Sequence, residues 1–483
     1  MKTLVLQLAR LGDIYQTWPV LAALKRLHPD SELHLLTRAK FAAATEGLHV
    51  VDKHWLLDTR QVLSPLIDER PELDEAMRKL DELTEKLLDE RFERVINLSF
   101  SPLSSLLTYE ISRHAVEVRG YTRFDDGYLS IPDDPSAYFY AQVGVDKSNR
   151  LHVTDLFAHV ADVELEERDW EVLPQHDEAL SREKNVILIH VGASSEQKTL
   201  SVPKWQMVAK RLLARWSGRV VLIGSEGERT KAEQVAAISG ERRPENLVGQ
   251  TSLKELIALI REARLLIGGD SGPVQIASLV NTPVLNISLK AVSFWETGPR
   301  SKGSRILPVE DESQIGADEI VEEALALLES RRSNPDAVVV PLRNAPYVAG
   351  SRQENSFEWE LLRALYMGAE MPAAPGEIFL MGLKRLGEVV ELALEQIDAV
   401  EKNPGNKIAA SIIEQSDVLM DQIMSFVPEV GPLVRWFRTE KIRIGPKPLK
   451  ELIEATKDVY LKLQGVIAFY LTSENLMDAD RSA

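Results

Sequence analysis

Short apolar runs and amphipathic stretches alternate along the first two thirds of this chain. A run of four to eight apolar residues reads as a buried strand, and apolar positions three and four apart read as one face of a helix. On these rules residues 3–8 are a strand, and 14–27 a helix ending near His28-Pro29. Residues 32–36 and 50–57 are strands, and 71–90 is a charged amphipathic helix. Strand 94–98, helix 101–114 and strand 115–121 follow. Residues 125–140, rich in Asp, Pro, Gly and Ser, read as a loop, and 148–163 as a helix closing the first domain. The charged, aperiodic stretch 164–184 reads as a linker. A second series has strands at 186–190, 219–223, 265–267 and 284–287, with helices at 203–216, 228–238, 253–262 and 317–328. This alternation predicts α/β folding with parallel sheets covered on both faces.

From about residue 335 the strand signals stop. Phe379, Leu383, Leu386, Val390, Ala393, Ile397 and Val400 recur at helical spacing, as do Leu452, Thr456, Val459, Leu463, Val466 and Tyr470. Ile412, Leu419, Ile423 and Phe426 form a third, shorter stripe. These are read as core faces of three to five packed helices, with 335–350 as the connection. The expected organisation is an α/β domain over 1–165, a second over 180–334 and a helical extension over 350–475.

Composition narrows the class. A chain of 483 residues is long enough for two or three cores, and 44% hydrophobic with 27% charged residues is an ordinary globular balance. A net charge of −17 argues against a protein that coats nucleic acid. The absence of cysteine excludes disulfides, thiolate metal sites and a cysteine nucleophile. No apolar run reaches the ~18–20 residues of a transmembrane helix, and MKTLVLQLARLGD is interrupted by Gln7 and Arg10, so it reads as a strand rather than a leader. A cytoplasmic enzyme is the expectation.

Chemistry is expected in the loops that follow strands. In LLIGGDSGPVQIASL, from Leu265 to Leu279, an apolar run meets the turn Gly268-Gly269-Asp270-Ser271-Gly272 and a helix opening at Pro273. The free N–H groups of such a helix start form an anion site suited to a diphosphate. Asp13 in Ala9-Arg10-Leu11-Gly12-Asp13 stands at another helix start, where an N-cap is the plain reading and a catalytic role the other. In the loop His190 to Lys198, small residues including Ser194 admit a ligand to the backbone, and Lys198 either reaches a phosphate or is a solvated surface lysine. Glu228 either binds a ribose hydroxyl or favours a helix N-terminus. Asp125-Asp126 and Asp133-Asp134 read as turn chemistry. No G-x-G-x-x-G, P-loop, G-x-S-x-G or H-E-x-x-H motif is present, and the nine histidines form no zinc pattern, so no metal is expected.

Taken together, these loops resemble the family 9 glycosyltransferases, the ADP-heptose:lipopolysaccharide heptosyltransferases. The resemblance rests on Arg10-Leu11-Gly12-Asp13, Thr17-Trp18-Pro19, RVINLSF, AVEVRGY, HVGAS through Lys198 and Trp205, VVLIGSEGE, NLVGQTSLKELIALI, GGDSGPVQIAS and Glu296-Thr297-Gly298-Pro299. It covers roughly residues 1–330 and leaves the helical extension unexplained. The resemblance implies two Rossmann-like domains facing across a cleft (the GT-B type), 1–165 on the acceptor side and 180–334 binding the donor, and inverting, metal-independent transfer from a nucleotide-sugar, with no further cofactor. By position Asp13 is then the general base. Ser194, Lys198 and the helix start at Ser271-Gly272 match phosphate contacts, Glu228 the ribose-binding acid, and Asp270 the acid contacting donor sugar hydroxyls. Two positions depart from the family pattern: Gln275 stands where His is usual, and Thr199-Leu200-Ser201 replaces an aromatic-Pro pair.

The implied function is transfer of a heptose-like sugar, ADP-linked, to a lipopolysaccharide or other cell-surface glycan, at the inner face of the cytoplasmic membrane. The alternatives are a transferase with another donor or a protein acceptor, and a non-catalytic descendant whose helical domain binds a partner.

Overall fold

The structure is a computed structural model describing residues 1–67, 71–146, 149–238, 240–330, 338–339 and 357–481, with side chains throughout except at 338–339 and 473–481. Apart from 338–339, the expected connection 335–350 lies outside the described residues. The chain divides into two compact units. The first comprises Met1–Ser99, Glu110–Val118 and Asn149–Gln353; the second comprises Phe100–Tyr109, Arg119–Ser148 and Glu354–Ala483.

Two sheets organise the first unit. Strands β1 (Lys2–Gln7), β2 (Glu32–Arg38), β3 (Lys53–Leu57), β4 (Arg94–Asn97) and β5 (Glu117–Gly120) lie in the order β3-β2-β1-β4-β5. Further along, β6 (Thr122–Arg123) and β7 (Leu129–Ser130) form a small antiparallel hairpin in the second unit. The second sheet is built from β8 (Val186–His190), β9 (Arg219–Ile223), β10 (Glu245–Asn246), β11 (Leu265–Gly268), β12 (Val284–Leu289), β13 (Arg305–Val309) and β14 (Val338–Val339). Its order is β10-β9-β8-β11-β12-β13-β14, parallel except for the antiparallel β13–β14 pair. In both sheets the order reverses beside the first strand, β1 or β8. Loops leaving the carboxyl ends of β1, β8 and β11 therefore open into a crevice.

Continuous apolar strands suit a sheet covered on both faces. All five residues of β8 are buried, as are all four of β11. Around them Trp205, Val208 and Leu212 of the helix Val202–Arg215 join Ile187, Ile189, Val220 and Leu222 in one core. Trp205 also anchors a loop: its Nε1 donates to Thr199 Oγ1 (3.3 Å), and that hydroxyl donates to Val191 O (3.0 Å). Emptying a site of this size costs about 3–5 kcal/mol.

Two sequence readings are corrected. Residues 164–184 do not form a free linker. Trp170 is only 2% exposed, and Asp169 accepts from Arg26 Nε and Nη2 at 2.8 and 2.9 Å, docking the segment on the helix Leu11–Leu27. Charges that suggest solvent in one dimension are here ion-pair partners. Residues 125–140 hold β7 and the helix Asp134–Tyr138, which runs on into a π-helical turn, Phe139–Val145. Asp133 caps that helix by accepting from Ser136 N–H (2.8 Å), and Asp126 accepts from Tyr128 N–H (3.1 Å), so these acids do serve local turns.

In the second unit the described residues include the helices Phe357–Met367, Glu377–Lys402, Lys407–Phe426, Gly431–Ile444 and Leu449–Arg481. Glu377–Lys402 packs against both Lys407–Phe426 and Leu449–Arg481. Its stripe from Phe379 to Ile397 is buried as expected, with Val400 half-buried. In Leu449–Arg481 the face is rotated: Ile453, Val459, Tyr460, Leu463, Ile467 and Tyr470 are buried, whereas Leu452 is exposed. The third stripe is overturned. Lys407–Phe426 buries Ala409, Ser416 and Met420, while Leu419 and Phe426 face solvent. Small Ala409 and Ser416 allow close approach to the neighbouring helix, which a bulkier face would prevent. Among the described residues no helix is long and apolar enough to cross a membrane.

Candidate active site

A cavity of about 630 Å³ opens between the two sheets of the first unit. Asp13, Ser194, Lys198, Glu228, Asp270, Ser271, Gly272 and Gln275 all line it, together with Arg10 and His190. Residues drawn from four loops far apart in sequence thus share one space.

From the first sheet comes the loop after β1. Gln7 Nε2 donates to Thr17 Oγ1 (3.1 Å) and Leu98 O (3.2 Å), and Thr17 donates to Asp13 O (2.8 Å). Arg38 donates to Ala9 O and steadies the loop from the other side. Asp13, in the first turn of the helix Leu11–Leu27, accepts the backbone N–H of Arg10 on Oδ2 at 2.8 Å. Arg10, not Asp13, is therefore the N-cap, and Asp13 closes a capping box from the third helical position; among the described residues no other residue donates to Oδ1. Part of Asp13 stays open to the cavity, yet protein atoms enclose its carboxyl. Burial raises its pKa above the usual 3.8; the Arg10 N–H and guanidinium pull it down, and the Asp270 charge pushes it up again. A base in such a place is less solvated and closer to working pH than a free carboxylate.

Three loops of the second sheet face it. After β8, Gly192 leaves room for Glu228: a Cβ there would fall 1.5 Å from Glu228 Oε1. Glu228 Oε2 accepts Ser225 N–H (2.6 Å) and Oγ–H (2.9 Å), while Oε1 lies 3.4 Å from His190 Nε2. Burial alone would raise this acid's pKa, but the hydrogen bonds and charge of His190, with those from Ser225, hold it at about 2. His190 Nδ1 is buried with no partner among the described residues. Gly269 lets the next loop close in, since a Cβ would meet Lys198 O at 2.7 Å. Lys198 Nζ in turn pairs with Asp270 Oδ2 at 3.1 Å.

The helix Gly272–Val280 starts at this point. Pro273 has no N–H, and that of Val274 returns to Ser271 O (3.1 Å). No hydrogen bond among the described residues occupies the N–H of Ser271 or Gly272. Gly272 abuts Leu11, where a Cβ would meet Leu11 Cδ2 at 3.2 Å, and a Cβ on Gly12 would lie 3.6 Å from Gln275 Cγ. Two helix N-termini, one from each sheet, thus converge on the cavity and favour negative charge there. Gln275 is buried and donates from Nε2 to Thr297 O (2.6 Å), so part of its donor capacity is already committed. Arg10 reaches across, its Nη1 3.5 Å from Ser194 Oγ.

Arg10 and His190 went unassigned in the reading of the sequence. Each lies in a loop or strand end that the argument used, and their position beside a sheet's reversal point was the available signal. Among the described residues, Glu32, His34 and Glu90 have ligand-like spacing for a metal. Trp55 Nε1 donates to His34 Nδ1 (3.0 Å), which leaves the proton on Nε2 facing Glu32 Oε1 at 2.7 Å. Hydrogen bonds from Lys2 and Lys53 hold the Glu90 pKa at about 2, so this group is already neutralised from within the chain.

Residues 80–289 match the sequence family described as Glycosyltransferase family 9 (heptosyltransferase). Lipopolysaccharide heptosyltransferase 1 of Campylobacter coli is 25% identical over 299 residues, 59% of this chain and 83% of that protein. Lipopolysaccharide heptosyltransferase 3 of Escherichia coli K12 is 23% identical over 294 residues, 57% of this chain and 79% of that one. In fold, a family 9 glycosyltransferase from Veillonella parvula superposes with a TM-score of 0.53 at 18% identity, covering 68% of this chain and 97% of that one. The E. coli heptosyltransferase WaaC with ADP gives 0.51 at 14% identity, covering 68% and 100%. With its paired sheets and motif-bearing loops, this chain resembles the family 9 heptosyltransferases in sequence over residues 80–289, shares the GT-B fold of their solved structures, and carries an additional helical unit.

Proposed function

We propose that the chain is an inverting, metal-independent glycosyltransferase that moves a heptose-like sugar from an ADP-linked donor to a lipopolysaccharide or other cell-surface glycan. The observation that carries this reading is the convergence of Asp13 from one sheet with Lys198, Glu228, Asp270 and the Ser271-Gly272 turn from the other. The names of the relatives support the same activity, donor and acceptor.

In this reading the donor diphosphate lies against the Ser271-Gly272 helix start, with Ser194 and Lys198 beside it, and Glu228 takes a ribose hydroxyl. Asp270 contacts the transferred sugar. The acceptor oxygen forms a bond to the anomeric carbon as Asp13 Oδ1 takes its proton. The bond to the diphosphate oxygen breaks on the opposite face, and its electron pair leaves with the nucleotide. The anomeric centre inverts, and Asp13 then returns its proton to solvent. Fixed cations and N–H groups facing the departing oxygen supply charge stabilisation of the kind that commonly dominates such barriers. Arg10 adds a second cation near the diphosphate, where Gln275 supplies only a neutral donor. The enzyme would work on the cytoplasmic side of the membrane, where no cofactor beyond the donor is needed.

The test is incubation of the purified chain with ADP-heptose and a heptose-free lipopolysaccharide acceptor, with and without chelator. Release of ADP, an inverted anomeric configuration by NMR and indifference to chelator are the expected results. Transfer from UDP- or GDP-sugars but not ADP-heptose would refute the donor assignment, and retention of configuration would refute the mechanism.

A further inference from the structure

The helix Lys407–Phe426 has two apolar faces, and its own chain covers one. Ala409, Ser416 and Met420 are buried, whereas Ile408, Val418, Leu419 and Phe426 are 76, 56, 41 and 83% exposed. Ile408, Ile412, Gln415, Leu419, Gln422 and Phe426 follow one another at steps of four, three, four, three and four residues. That is the spacing of a coiled-coil seam, and at ~100° per residue the six fall within about 40° of one direction. None is charged. Asp417 and Asp421 turn away to Lys441 and Arg438. Met381 (65% exposed) shares a groove with Ile423, Phe426 and Val427 that Lys384, Arg385 and Glu388 also line. Single exposed apolar side chains are ordinary, but here exposed Ile408, Leu419 and Phe426 share one uncharged face with Ile412, Gln415 and Gln422, a pattern suited to an interaction surface.

We propose that this face pairs with the same face of a second copy of the chain, antiparallel, about a two-fold axis between Gln415 and Leu419. The spacing reads identically from either end, so a reversed copy is complementary: Ile408 meets Phe426, Ile412 meets Gln422, and Gln415 meets Leu419. The ends carry opposite charges. Lys407 and Glu429 are exposed and neither forms an ion pair among the described residues; antiparallel pairing brings each toward the other on the partner. A chain of net charge −17 suits a protein partner and opposes an anionic lipid surface. A two-fold, self-complementary patch is the usual geometry of a homodimer.

Sedimentation velocity on the full chain between ~1 and ~100 μM is the test, a range that brackets modest dimer affinities. A concentration-dependent monomer–dimer equilibrium is expected. Leu419→Glu, which sets two carboxylates across the axis, should raise the dissociation constant by at least ~10-fold while leaving the melting curve in place, because the residue is exposed. The chain has no cysteine, so Gln415→Cys supplies a lone thiol beside the axis, and a short bismaleimide should join two copies through it. Ile408→Cys should not self-crosslink, since antiparallel pairing holds the two copies of that residue about 27 Å apart. A monomer at all loads, a dimer indifferent to Leu419→Glu, or equal crosslinking at both thiols would overturn the proposal. So would capture by anionic vesicles in place of dimerisation.

Discussion

In the proposed mechanism Asp13 has two tasks, and its two carboxylate oxygens divide them. Oδ2 accepts the Arg10 N–H at 2.8 Å and closes a capping box, while Oδ1 accepts from no other residue among those described. Asp13→Asn keeps an acceptor for that N–H but removes the proposed base, whereas Asp13→Ala also removes the capping-box hydrogen bond. The Asn variant should therefore lose transfer by roughly 10²–10⁴-fold with nucleotide affinity held within a few-fold, as single-turnover kinetics and calorimetry would read. Because burial raises this acid's pKa above 3.8, the acidic limb of kcat/KM should lie above the range of a free aspartate, with activity rising as Asp13 deprotonates. The same shift penalises the ionised folded state, so stability from this group falls as pH rises through the interval, and Asp13→Asn should melt no lower than wild type at pH 7. Glu228 has the opposite sign. Held at about 2, it contributes stability that is present above 4.5 and lost as pH falls toward 2. Lys198→Ala leaves Asp270 without its counter-charge and should weaken ADP binding about 10- to 100-fold by calorimetry, the worth of about 1.5–3 kcal/mol for a charged hydrogen bond.

The loops that hold these side chains depend on two glycines with different neighbours. At Gly192 an added methyl would meet the Glu228 carboxylate, a side chain able to swing away. Gly192→Ala should thus lower nucleoside affinity with a modest change in melting. At Gly269 the obstacle is the backbone carbonyl of Lys198, 2.7 Å from the new Cβ, and two loops would have to part. Gly269→Ala should lower both melting temperature and ADP affinity. The strands around these loops were legible because β8 and β11 are unbroken apolar runs, and such runs have few other fates. The shared cavity was legible because Asp13, Lys198 and Asp270 each follow such a strand. The face of Lys407–Phe426 was not, since an apolar stripe on a helix with two apolar sides does not say which side its own chain covers. Nor was the docking of Asp169, because Arg26 lies 143 positions away in sequence.

Across the whole molecule, every proposed ligand contact falls in the first unit, and the second supplies none of them. Hydrogen exchange should therefore show protection on adding ADP in the loops after β1, β8 and β11, with the helices from Glu377 onward unchanged. At ~100 times its dissociation constant the nucleotide adds about 2.7 kcal/mol to the stability of whatever it binds. Equal protection of both units would mean that the helical unit shares the ligand. The central claim is that the cavity around Asp13 transfers sugar, and the most direct measurement compares wild type with Asp13→Asn, using ADP-heptose and a heptose-free acceptor, by mass spectrometry of the glycan. The account requires heptose addition by wild type, inverted at the anomeric carbon, and its near-complete loss in the variant while ADP still binds. A variant that transfers heptose within a few-fold of wild type would contradict it.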